Sequence, residues 1–115
     1  MNREIKFRAW SKESEKMMDW IFIKSVNNLT KLLSLNHVIV MQFTGLTDKQ
    51  GIEIYEGDIV KHVHSSDNCI VEFEKESAMF LAREVGDETL GFGIEDVKEV
   101  MGNIYENASL IGDVV

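Results

Sequence analysis

The stretch Phe43-Thr44-Gly45-Leu46-Thr47-Asp48-Lys49-Gln50-Gly51-Ile52-Glu53-Ile54-Tyr55-Glu56-Gly57-Asp58-Ile59-Val60 holds two turn signals with a short β-branched run between them. Thr47 to Gly51 is polar and ends on a glycine, and Glu56-Gly57-Asp58 turns the chain again. Gly51 and Gly57 fit positions that need unusual backbone angles, which glycine adopts without a steric penalty. Ile54, Ile59 and Tyr55 supply bulk for the inward face of the strands. Asp58, directly after Gly57, is placed to bond nearby backbone amides and brace the following strand.

Strand signals continue on both sides of this block. Upstream, Val38-Ile39-Val40-Met41-Gln42-Phe43 is β-branched and apolar. Downstream, Ile59 to His64 reads as a strand, Ser65 to Asn68 as a loop and Cys69 to Phe73 as its hairpin partner. Ala78 to Arg83, Gly91 to Ile94 and Val100 to Tyr105 are further short strands. Short strands at this spacing argue for a small barrel or sandwich. At the N-terminal end, Glu4 to Trp10 alternates, with Ile5, Phe7 and Ala9 on one face. Ser11 to Lys16 is turn-like, and Met17 to Trp20 returns as the second arm of a hairpin. Over residues 21–36, Val26, Leu29, Leu32 and Leu33 have helical spacing and Asn27-Asn28 can cap a short helix, while a strand is equally allowed.

Composition bounds what the chain can be. Its 115 residues, with 44% hydrophobic and 28% charged, suit one ordinary globular domain with one core. The simplest division is a single domain over 1–115, with an N-terminal β extension over 1–37 and a barrel over 38–115. One cysteine, Cys69, cannot form an internal disulfide, which points to a reducing cytoplasm. The charged start of the chain is unlike a signal peptide, and no apolar run approaches the length needed to span a bilayer. Membrane association is therefore not expected.

The net charge of −8 is unevenly distributed. Residues 1–50 carry eight Lys/Arg against five Asp/Glu, net +3, and residues 51–115 carry four against fifteen, net −11. A solvated acidic face aids solubility. Opposite charge also helps the two halves dock, within one chain or between subunits, or lets the acidic half meet a basic partner. Since neutralising phosphates takes Lys and Arg, the second half is a poor surface for nucleic acid.

The block from Phe43 to Val60 closely resembles the hallmark of the YopX family, found in bacteriophages and in prophages of Gram-positive bacteria. Its Gly45, Gly51, Tyr55, Gly57 and Asp58 are part of that likeness. Arg3-Glu4-Ile5-Lys6-Phe7-Arg8-Ala9-Trp10 looks like the family's start, and Gly102-Asn103-Ile104-Tyr105-Glu106-Asn107 looks like its usual ending. The family usually has proline next, where this chain has Ala108. The resemblance implies an SH3-like β-barrel preceded by an N-terminal β segment; together with the residue pattern, the expected fold is mainly β with at most one or two short helices. It implies no activity and no catalytic residues.

Candidate sites are few. His62 and His64 lie two apart on a strand, with Asp67 and Cys69 across the turn, but the spacing matches no established zinc pattern, and the expectation is two exposed strand histidines and a small buried thiol rather than a metal site. Glu53, Glu56 and Asp58 divide acid and base roles only if burial separates their pKa values. Nucleophile-elbow, dinucleotide and Walker motifs are absent from the sequence. Trp10, Trp20, Phe22 and Tyr55 are candidates for an exposed aromatic binding patch; alternatively, Trp10 and Trp20 pair across the hairpin and pack on the barrel or on another subunit. Arg3, Lys6 and Arg8, with Lys12, Lys16, Lys24 and Lys31, form a basic N-terminal series. The expectation is a non-enzymatic, cofactor-free accessory protein that self-associates and binds a host or phage protein. Nucleic-acid binding through the basic series is the alternative, and a metal-dependent hydrolase built on His62 and His64 is a further one.

Overall fold

The computed structural model describes residues 4–26, 29–87 and 90–112. Among these residues the fold is mainly β, with two sheets and two short helices. The chain divides into two compact units, Met1–Phe43 and Thr44–Val115.

In the first unit, β1 (Phe7–Ser11) and β2 (Lys16–Met18) form the expected hairpin. The turn between them closes with the Glu15 N–H donating to the Ser11 carbonyl at 2.8 Å. On its other side β1 pairs antiparallel with β3 (Val38–Thr47), from Phe7 opposite Gln42 to Ser11 opposite Val38. Two expectations are corrected. Ile5 precedes the strand and is exposed, so only Phe7 and Ala9 of the alternating series lie in β1. Trp20 is not on the second arm: Trp10 opposes Met17, and Trp20 opens a helix.

That helix, α1 (Trp20–Val26), starts where Asp19 caps it. The Asp19 Oδ1 accepts the Phe22 N–H at 2.8 Å, satisfying a donor that has no partner within the helix. With α2 (Leu29–Leu33) it resolves the ambiguous segment in favour of helix. The proposed Asn27-Asn28 cap lies outside the described residues. Ile23 is the buried residue of α1, and Trp20 meets Phe7 edge to face at 5.8 Å.

The second unit continues from the end of β3 into β4 (Glu53–Tyr55), β5 (Asp58–His62), β6 (Cys69–Glu74), β7 (Met79–Glu84), β8 (Gly91–Gly93) and β9 (Val97–Asn103). Five strands form an antiparallel sheet in the order β8-β7-β6-β5-β9. Register shifts between Ile59 and Val60 and between Lys61 and His62 interrupt the β5–β9 pairing. Such bulges bend a strand and increase its twist, and this sheet curls into a half-barrel. Consecutive Ile59 and Val60 are both fully buried, which a regular strand with one covered face would not allow. The core gathers Ile54, Val60, Cys69, Val71, Ala82, Ile94 and Val97, with Phe80, Phe92 and Val100 against it. Among the described residues, no helix is long and apolar enough to cross a membrane.

Candidate functional site

The double turn that decides the fold uses its polar groups internally. Asp48 is buried, and its Oδ1 accepts N–H groups from Gln50 and Ile52, each at 2.9 Å. Its Oδ2 accepts the Val100 N–H at 2.9 Å, so one carboxylate closes the turn and clasps β9. Burial works against the charge, but these amides and that of Gly51 outweigh it and hold the Asp48 carboxyl below its usual range. Thr44 Oγ1 donates to the Ile54 carbonyl at 2.8 Å. Asp58 is 1% exposed, and its Oδ2 accepts the Tyr55 N–H at 2.7 Å, the bracing expected of it.

Gly51 and Gly57 have φ of +86° and +84°, so both have the left-handed backbone their turns require. Gly57 is also fixed from two sides: its N–H donates to Val71 and its carbonyl accepts from Ile104, both at 2.9 Å. Gly57→Ala is therefore expected to cost about 1–3 kcal/mol, since the turn cannot relax away from positive φ. Gly51→Ala, where an added Cβ meets nothing within 4 Å, should cost only the lower end of that range, about 1 kcal/mol. Urea unfolding of the two variants checks the ordering. Gly45 lies at an exposed position of β3 with φ of +94°.

The closing motif is a second self-bonded turn. Asn103 Oδ1 accepts the N–H groups of Tyr105 and Glu106 at 3.0 and 2.8 Å, and Asn107 Oδ1 accepts the Asn103 N–H at 3.1 Å. Gly102 lies in β9 beneath this turn, Tyr105 is half-buried, and Ala108 opens a 3-10 turn where the resemblance led to proline.

The two histidine rings lie 5.5 Å apart but differ in burial. His62 is buried rather than exposed, at the end of β5. Its Nε2 lies 2.7 Å from the Gly93 carbonyl and its Nδ1 accepts the His64 N–H at 3.1 Å, while its ring stacks on Phe92 at 4.9 Å. His64 lies beyond the strand, exposed, 3.6 Å from Asp96. Cys69 is a buried thiol, and burial pushes it above its ordinary pKa. Among the described residues, no group of three or more His, Cys, Asp or Glu could hold a metal ion.

The aromatic candidates do not make one exposed patch: Trp10 and Tyr55 are buried, Trp20 is half-buried and Phe22 is exposed. In the basic series, Lys6 is largely covered, its Nζ lying 4.8 Å from the Phe43 ring centre and 3.6 Å from Glu4. Arg8 is half-buried in β1, and Arg3 lies outside the described residues.

Two further surfaces stand out, and of their residues only Phe22 is a binding candidate by sequence. In the first unit, Ile21, Phe22 and Val26 of α1 and Leu33 of α2 are exposed at 76%, 48%, 50% and 64%. In the second, pairing Glu72 with Leu81 and Glu74 with Met79 puts these residues, with Ile70 and Arg83, on one face of the β6–β7 hairpin. Arg83 bridges Glu72, at 3.2 Å, and Glu74. Ser77 and then Arg83 hold the Glu74 carboxyl below its usual range. A shallow cavity of about 410 Å³ here is lined by Glu72, Phe73, Glu74, Lys75, Glu76 and Arg83. The apolar helical residues could have been noticed as exceeding one stripe; the acidic face needed the strand register.

A family model described as "YopX protein" matches residues 19–112. Protein EF1440 from Enterococcus faecalis, known from a crystal structure, is similar over 96% of this chain and 99% of its own, with 23% identity and a TM-score of 0.64. That likeness is one of fold. Among curated proteins none matches. The matched residues leave out β1 and β2, and with them the opening motif.

Proposed function

Because this chain belongs to the YopX family, through residues 19–112, we propose that it is a non-enzymatic accessory protein, of phage or prophage origin, that self-associates and acts by binding protein. The observation that carries this is the apolar, exposed surface of α1 and α2. A helix with Ile23 buried and Ile21, Phe22 and Val26 outward exceeds the single apolar stripe that a surface helix needs. Outward apolar groups of this kind mark interaction surfaces. Of the candidate catalytic groups, Asp58 is held on a backbone amide and His62 on Gly93 and His64.

Size-exclusion chromatography with light scattering, at low and high salt, tests this. The expected result is a defined multimer with the absorbance ratio of protein alone. A monomer, or a peak carrying nucleic acid, overturns it and favours the basic N-terminal series as a nucleic-acid surface.

A further inference from the structure

We infer that the exposed face of α1 and α2 docks onto the acidic β6–β7 hairpin of a second copy of this chain, in a head-to-tail contact. The inference rests on the self-association proposed above and names the two surfaces that would meet. The helical surface is apolar and basic. Ile21, Phe22, Val26 and Leu33 are exposed, Lys24 and Lys31 lie among them, and no Asp or Glu occurs from Trp20 to Thr47.

The hairpin has the complementary character. From Asp67 to Asp87 it carries six Asp/Glu against two Lys/Arg, and described acids among them include Glu72, Glu74 and Glu76 around the shallow cavity. Met79 is exposed beside them, at 52%, and Leu81 is half-buried on the same face, so apolar as well as charged groups have counterparts. Opposite potentials fix partner and register, and apolar contact at the centre supplies most of the affinity. Each chain carries one surface of each kind. Repeating this head-to-tail contact closes a ring or extends a filament.

Two charge-reversed full-length variants test the pairing: K24E/K31E on the helices and E72K/E76K on the hairpin. E76K alters an exposed turn residue, and E72K leaves Glu74 to Arg83. Each variant alone should show an apparent dissociation constant raised at least about tenfold over the unaltered protein, through like-charge juxtaposition. An equimolar mixture should reassemble well above the mass of either variant alone, because every contact in an alternating assembly again joins opposite charges. That recovery also shows that both variants are folded. If the unaltered protein is a multimer and both variants keep its mass, or if both dissociate and the mixture does not recover, the pairing is overturned while self-association stands. If the unaltered protein is a monomer, self-association itself fails, and the pairing with it.

Discussion

Asp48→Ala is expected to lower the unfolding free energy by about 2–4 kcal/mol, a large share of the 5–15 kcal/mol typical of a folded domain. The cost is unevenly spread over the amides that lose their acceptor. Gln50 and Ile52 are exposed, so water can replace the carboxylate there. Val100 is half-buried on β9, and its N–H loses the 2.9 Å bond with poorer access to solvent. Asp48→Asn separates the two contributions. The Asn oxygen can still accept from the turn, but its amide group turns a donor toward the Val100 N–H, so the turn survives and the clasp does not. Urea denaturation should rank the proteins as native, Asn, then Ala.

The same carboxylate makes stability depend on pH. The fold holds Asp48 below its usual range. Its contribution is thus fully present above the unfolded-state value of about 3.9, and is lost as pH falls through the lower folded-state value. The stability gap between the native protein and Asp48→Asn should narrow below pH 4 and stay constant from pH 5 to 7. A gap that does not change with pH would mean that the Asp48 charge contributes nothing.

How far the sequence reached follows the range of each interaction. Gly51, Gly57 and Asp58 act on neighbours within a few positions, so their turn chemistry was legible. The Asp48 side chain also acts on Val100, 52 positions away, and nothing local in the turn announces that half. Met17 to Trp20 is compatible with a hairpin arm, yet Trp20 opens a helix. The overlooked signal was Asp19, which precedes an apolar run as a helix cap does. The turn before β7 was hidden because its left-handed position, at φ +55°, is occupied by Ala78 rather than glycine or asparagine. Exposed helical residues and the acidic hairpin face depend on tertiary packing and register, which composition does not encode.

His62 shows where polarity misled periodicity. Period two along β5 puts it on the same face as Val60, which is fully buried, yet a histidine beside a second histidine invited an exposed pair or a metal site. In the fold its Nδ1 receives the His64 N–H and carries no proton, so Nε2–H donates to the Gly93 carbonyl. A metal needs a free ring lone pair, and the one lone pair of neutral His62 is already engaged. His62→Ala should therefore cost about 3–4 kcal/mol, from a cavity beside Phe92 and a carbonyl left without its donor. His64→Ala, which removes an exposed ring near an exposed Asp96, should cost no more than about 0.5 kcal/mol. Thermal unfolding with and without added zinc separates the alternatives: unequal losses and no zinc-dependent rise in Tm fit a structural His62. Similar losses in both variants, together with a rise in Tm on adding zinc that either substitution abolishes, would return the pair to metal binding.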